Sequence, residues 1–258
     1  MDLKLTDKVA VVTGASKGIG LAVTRALVAE GATVVAGART TEGLDNLERV
    51  TAMAIDLATP HGPAALVQRA LDAHGAIDIL VNNVGAAHPR PGGFASVTDE
   101  DWTAALNINF LAAVRTTRAA LPHLLARGAG NIVTICSVNS FLPDPLVIDY
   151  SAAKAALANF SKALSKEVGP RGIRVNSVSP GPVSTALWLG AEGVAQTVAR
   201  AGSGDPDAVA KQAAEAIVTG RFTRPEEVAD LVVLLASDRA GNVTGADFVI
   251  DGGLITTL

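Results

Sequence analysis

Three side chains in this sequence have the types and spacing for proton chemistry at an oxygen atom: Ser137, Tyr150 thirteen residues on, and Lys154 four further. A gap of four puts Tyr150 and Lys154 on one face of a helix. A phenol is a poor acid or base near neutral pH because its ordinary pKa is about 10. An ammonium one turn away favours phenolate, which predicts a Tyr150 pKa drawn down toward the working range. Ser137 is placed to polarise the same substrate oxygen. Such a group suits moving a proton on or off a carbonyl or an alcohol. Alone it is a weak signal, since Tyr-x-x-x-Lys arises by chance on many helices.

A second pattern lies near the amino terminus. Residues 9–13 form an apolar run of strand length, then come Gly14-Ala15-Ser16-Lys17-Gly18-Ile19-Gly20, and Ile19, Ala22, Val23, Ala26 and Leu27 follow at helical spacing. Glycines between a strand and a helix start permit a tight turn and close backbone approach to a pyrophosphate. The helix N-terminus adds free N–H groups and a partial positive charge. In that context the turn predicts a nucleotide site.

The glycine turn after Thr13, Asn82-Asn83-Val84-Gly85, Ser137, Tyr150-x-x-x-Lys154, and Pro180-Gly181 followed by Thr185 occur together in an order that resembles the short-chain dehydrogenase/reductase family. The likeness is to its bacterial 3-oxoacyl-carrier-protein-reductase-like members and runs from about residue 5 to Gly253. It is specific for the family and says little about substrate. The resemblance implies that Gly14, Ser16, Lys17, Gly18, Ile19 and Gly20 cradle the cofactor, and that Asp56 and Leu57 meet its adenine end. Asn83, Val84 and Gly85 become the loop beneath it, while Pro180, Gly181, Val183 and Thr185 become the nicotinamide side, with Thr185 on the carboxamide. Tyr150 and Lys154 also touch the cofactor in this reading, Lys154 at the nicotinamide ribose. Asn109, rather than Asn107, maps to the asparagine that bends its helix and holds a water between the lysine and solvent. The implied catalytic set is Asn109, Ser137, Tyr150 and Lys154.

The second strand carries a further cofactor signal. Ala38 stands where NAD-type members have Asp; Arg39 follows at once, and Lys17 sits in the glycine turn. Two cations near a ribose suit a 2′-phosphate, which Arg can grip as a fork. The expected cofactor is therefore NADP(H) in preference to NAD(H). Expected substrate contacts are Ser137, Asn139 and Tyr150, joined by His88 in the loop after Gly85 and by Trp188. Two other readings stay open: an NAD-dependent dehydrogenase of an alcohol, diol or sugar alcohol, and a non-catalytic NADP(H)-binding regulator, since fold does not fix function.

Around these residues, apolar runs at 8–13, 32–38, 50–55, 77–82, 130–136, 173–178 and 246–250 alternate with helical patterns near 18–30, 42–48, 62–74, 99–127, 150–168 and 225–236. The expectation is one doubly wound α/β Rossmann domain spanning 1–258, with a seven-stranded parallel sheet in the order 3-2-1-4-5-6-7 and helices on both faces. Thr98 with Asp101, and Thr223 with Glu226, read as capping boxes. Residues 186–220 carry two short helical patterns around Gly202-Ser203-Gly204-Asp205-Pro206 and are expected to be a substrate lid, with Gly190, Gly193, Gly202 and Gly204 as hinges.

Composition bounds the rest. Of 258 residues 49% are hydrophobic but only 3% aromatic, so the core must be aliphatic. A net charge of −4 without a basic block argues against nucleic acid. The polar first residues do not read as a signal peptide and no apolar run reaches membrane-spanning length, so the expected address is the cytoplasm. Cys136, the single cysteine, is expected to pack as a small hydrophobe, and His61, His74, His88 and His123 share no metal-like spacing, so no metal site is expected. Small residues on 150–168, with the family resemblance, lead to an expected homotetramer, or failing that a dimer, built by pairing of the two long helices.

Overall fold

The computed structural model describes residues 2–202 and 204–257, so Ser203 of the expected lid lies outside the described residues. The sheet comprises β1 (Val9–Thr13), β2 (Thr33–Ala38), β3 (Val50–Ala54), β4 (Ile79–Asn82), β5 (Gly130–Ile135), β6 (Ile173–Pro180) and β7 (Asp247–Ile250). It is parallel throughout and ordered β3-β2-β1-β4-β5-β6-β7. The helices are α1 (Gly18–Ala29), α2 (Gly62–His74), α3 (Asp99–Leu106), α4 (Ala112–Arg127), α5 (Ile148–Val168), α6 (Ala186–Leu189), α7 (Val194–Gly202), α8 (Pro206–Glu215) and α9 (Pro225–Ala236).

Two cores follow from the alternation of side chains along buried strands. Ala10 and Val12 of β1 face one way, packing with Val23 and Leu27 of α1 and with Val228 and Val232 of α9. Val11 faces the other way, into a cluster with Leu66 of α2 and Leu124 of α4. Both cores are aliphatic, as the scarcity of aromatics requires.

Local outcomes differ from the sequence expectations at four places. Residues 42–48 form turns instead of a helix, because Gly43 takes a left-handed φ of 86° while Leu44 is drawn into the core. The capping box expected at Thr223 and Glu226 sits one residue later: Pro225 opens α9, and the Glu227 carboxylate accepts from Arg224 N at 2.8 Å. Thr223 is engaged instead in a bridge with Val183. The box at Thr98 and Asp101 forms as expected. The single helix expected over 99–127 is broken by a π-turn at Asn107–Leu111. Its cause is Asn109, whose Nδ2 donates to Ala105 O at 3.1 Å, the carbonyl a regular helical N–H at 109 would use. Finally, 186–220 holds three helices, α6 to α8, where two patterns were legible.

Candidate active site

The carboxyl ends of β1, β4, β5 and β6 gather most of the singled-out residues. The floor is the turn after β1. Gly14 and Gly18 take φ of 66° and 54°, and a Cβ at Gly20 would collide with the Gly14 carbonyl oxygen and lie 2.5 Å from Asn83 Nδ2. Asn83 braces the turn, donating from Nδ2 to Thr13 O at 2.8 Å and Gly14 O at 3.1 Å. Thr13 Oγ1 in turn accepts from Asn83 N and Val84 N. Lys17, at the N-cap of α1, makes no side-chain cap, and the first turn holds no acidic residue. The helix end therefore presents uncapped N–H groups over a glycine cradle, which fits a nucleotide pyrophosphate.

Around that floor, Lys17 and Arg39 are exposed and form no ion pair among the described residues, and Ala38, at the end of β2, is buried. Ser16 and Ile19 are half-buried on the turn. Asp56 is exposed, with Oδ1 accepting from Ala58 N at 2.9 Å. Leu57 packs its side chain in the core, which leaves only its backbone to face outward. Pro180 ends β6, Gly181 backs onto Asp251, and Val183 is buried. Thr185 reaches the glycine turn: its Cγ2 lies 3.2 Å from where a Cβ on Gly18 would stand.

Ser137, Tyr150, Lys154 and Asn109 are brought together. Lys154 is 3% exposed and donates to Ile135 O at 2.7 Å, with Nζ 5.7 Å from the centre of the Tyr150 ring. A Cβ on Gly85 would be 2.8 Å from Asn109 Oδ1 and 3.5 Å from Lys154 Nζ, so only glycine lets these elements close up. Asn109 Oδ1 accepts from Ala86 N and its Nδ2 donates to Ala86 O, pinning the loop after β4 to the π-turn. Ser137, buried after β5, accepts from Asn139 N at 3.2 Å, and its hydroxyl is close enough to Tyr150 to favour the phenolate.

The electrostatics correct one expectation. Tyr150 is not drawn down by Lys154: burial pushes its hydroxyl up to about 12, and the Ser137 hydrogen bond offsets only part of that. Burial also lowers Lys154 to about 8. Desolvation penalises the charged form of each and is the largest cause of both shifts. At neutral pH Tyr150 is thus a protonated donor and Lys154 remains an ammonium. Cys136 is buried, as expected, and its thiol is pushed up to about 11 by the same effect.

Of the expected substrate contacts, Asn139 donates from its backbone N to Ser137 Oγ, and its Nδ2 lies 3.4 Å from Ser151 Oγ. His88 is exposed on the loop after Gly85. Trp188, on α6, packs edge-on against Phe222 with ring centres 5.1 Å apart.

One cluster escaped the sequence. Arg90 donates from Nη2 to Asp149 Oδ2 at 2.6 Å and from Nη1 to Asp101 Oδ1 at 2.8 Å, and its backbone N donates to Leu146 O at 2.7 Å. Asp149 is 2% exposed, precedes Tyr150, and accepts from Tyr150 N at 2.9 Å. Arg90 therefore ties the loop after β4 to α3 and to the first turn of α5. No spacing announces a pair 59 residues apart; an acidic residue next to Tyr150 was the only visible hint.

Comparison with known proteins bears on this arrangement. The family model described as short chain dehydrogenase matches residues 8–192. An uncharacterized oxidoreductase, YvrD, of Bacillus subtilis is 36% identical, over 100% of both chains. The 3-oxoacyl-[acyl-carrier-protein] reductase FabG of Thermotoga maritima is 33% identical over 98% of this chain and 100% of its own. Among solved structures, the L-sorbose reductase of Gluconobacter frateurii, complexed with NADPH and L-sorbose, superposes with a TM-score of 0.91 at 35% identity, covering 100% of each chain.

Proposed function

This chain belongs to the short-chain dehydrogenase family and is a dehydrogenase or reductase of carbonyl and alcohol groups; from there we propose an NADP(H)-dependent reductase of a ketone or 3-oxoacyl compound, with Tyr150 as the acid. The observation that carries the reading is geometric: Tyr150 and Lys154 on one face of α5 beside Ser137, with an uncapped glycine turn below.

The nicotinamide group, when bound, supplies hydride to the carbonyl carbon or removes it from the alcohol. Gly14, Ser16, Lys17, Gly18, Ile19 and Gly20 would hold its phosphates, and Asp56 and the Leu57 backbone its adenine end. Asn83, Val84 and Gly85 would lie beneath it, and Pro180, Gly181, Val183 and Thr185 beside the nicotinamide, with Tyr150 and Lys154 at the ribose. As charge builds on the substrate oxygen, Ser137 donates a hydrogen bond and Tyr150 gives up its proton. The Lys154 ammonium stabilises the phenolate left behind, and Asn109 positions the loop and lysine through which that proton is restored. Preference for NADPH rests on Lys17 and Arg39, both exposed and without an ion pair among the described residues, and on Ala38 in place of a carboxylate. The NADPH named with the sorbose reductase is in keeping with this.

Residues 186–220 serve in this reading as a cover that closes over substrate, with Trp188 and His88 at its edge. The chain works as a homotetramer in the cytoplasm. Support for association comes from α5, which turns Leu157, Leu164 and Val168 into the core and leaves Ala152 and Ala163 exposed, a small-residue face a second helix can approach closely. Among the described residues no helix is long and apolar enough to cross a membrane.

The test is reduction of ethyl acetoacetate and a ketone panel with NADPH and with NADH. NADPH should give a kcat/KM at least about tenfold higher, a difference of about 1.4 kcal/mol in favour of the 2′-phosphate. Equal values would remove the cofactor assignment, and nucleotide binding without turnover of any ketone would favour the regulator. A 26.1 kDa species alone on sedimentation at micromolar concentration would remove the tetramer.

A further inference from the structure

The helix that carries Tyr150 and Lys154 begins without a cap. Val147 stands at the N-cap of α5 and makes no side-chain hydrogen bond there, and a β-branched apolar residue is among the poorest choices for that position. Tyr150 is the third residue of the helix, so the proposed acid stands where helices fray. Lys154, one turn further on, is tied independently by its bond to Ile135 O.

Arg90 supplies what the cap does not. Its backbone N donates to Leu146 O at 2.7 Å, just before the helix. Its guanidinium grips Asp149 Oδ2 from Nη2 at 2.6 Å and from Nε at 3.2 Å. The other Asp149 oxygen accepts from Tyr150 N at 2.9 Å. Asp149 is 2% exposed and the Arg90 side chain 16%, so water competes little for this fork.

Arg90 is itself held in place. Nη1 donates to Asp101 Oδ1 at 2.8 Å, while Asp101 Oδ2 caps α3 by accepting from Thr98 N at 3.1 Å. At the far end of α3 comes the π-turn, where Asn109 bonds both backbone groups of Ala86. The loop from Ala86 to Arg90 is thus pinned near both ends of one eight-residue helix. That helix acts as a strut: it sets where Arg90 stands and, through Asp149, where the first turn of α5 stands.

We propose that Arg90 is a positioning residue, which through Asp149 holds the turn bearing Tyr150 and so fixes its hydroxyl relative to Ser137 and Lys154. Its bearing on turnover rests on the reading of the site as a carbonyl reductase. Tyr150 is the only tyrosine in the sequence, so protein labelled on tyrosine nitrogen gives a single amide signal, from this turn. The variant to make is Arg90→Met with Asp149→Asn. It removes the fork without stranding a buried charge, and the amide oxygen left at 149 can still accept from Tyr150 N. The Tyr150 amide should exchange at least about tenfold faster than in the wild type. Ketone reduction should lose at least about tenfold in kcat, the cost of a misplaced reacting group, while the NADPH Kd changes less than about threefold. Arg90→Lys keeps the charge and loses the fork, so it should quicken exchange and lower kcat by about fivefold each, as for one lost hydrogen bond. If the double variant keeps wild-type exchange and more than about half of kcat, Arg90 merely neutralises Asp149 and the proposal falls. Should the double variant show no cooperative urea transition, Arg90→Lys decides alone, and wild-type exchange and kcat there would overturn the proposal. Exchange does not depend on turnover. A wild type that reduces no ketone would remove the reductase reading, and quickened exchange in the variants would still uphold the hold of Arg90 on Tyr150.

Discussion

The turn at 14–20 and the segment at 186–220, proposed above as a cover, both contain glycines, under opposite constraints. In the turn, a Cβ at Gly14 or Gly20 would meet backbone or the Asn83 amide at or under 3 Å, because the chain doubles back to leave its amides bare. In the cover, Gly202 and Gly204 would meet nothing within 4 Å. Gly190 and Gly193 do not share that freedom: a Cβ there would lie 2.5 Å from Ala186 O and 2.7 Å from Trp188 O. These two, expected as hinges, are tight closures at the end of α6, and the open backbone lies further on. What a glycine does is set by what surrounds it: Gly14 and Gly20 permit close approach, whereas Gly202 and Gly204 stand in open space.

The sharpest way to break that contrast is a methyl group on each side. Gly20→Ala should weaken NADPH binding at least about a hundredfold, because backbone must shift where the pyrophosphate is expected. Gly204→Ala should change it less than about twofold. Fluorescence titration reads both, and equal effects would end the distinction. Next, Tyr150→Phe removes one hydroxyl from the fixed side with little change in volume. It should cost at least about a hundredfold in kcat, the lower range for general acid catalysis, while NADPH affinity stays within a few-fold. Retention of more than about a tenth of kcat would mean another group is the acid.

Hydrogen exchange addresses mobility itself. Amides of α7 and α8 should exchange at least about tenfold faster than those of β1 and α1, and slow on adding NADP⁺ with 2-octanol. Full protection in the free protein would make 186–220 rigid scaffold. The smallest effect concerns the buried lysine. Lys154 titrates near 8 folded and near 10.5 unfolded, so above pH 8 the unfolded chain holds more protons and stability rises with pH. Cys136 and Tyr150, both raised on folding, oppose this only above their ordinary values of 9 and 10. From pH 8 to 9 the protein should gain about 1 kcal/mol by urea unfolding, and Lys154→Met should lose that pH-dependent gain.

The sheet order, the glycine turn and the gathering of Ser137, Tyr150 and Lys154 were legible because each depends on short-range patterns: strand-length apolar runs, glycine between strand and helix, a gap of four. What stayed hidden depends on pairing across the chain. Arg90 finds Asp149 only after β4 and α5 are docked, and Thr223 leaves its expected cap because Val183 claims its backbone. Burial was also invisible: a spacing rule gives the proximity of Tyr150 and Lys154 but not the desolvation that reverses the expected direction of the tyrosine.

The π-turn at Asn109 also sets a phase. One surplus residue lies between α3 and α4, so the two helices form a rod whose halves are out of step by about a hundred degrees, the rotation of a single helical residue. Deleting that residue would heal the hydrogen-bond ladder and yield a more regular helix. It would also swing Asp101 away from Arg90 and withdraw the amide that holds Ala86. Here regularity and competence are at odds: a shortened, straighter helix would be the better helix in the worse enzyme.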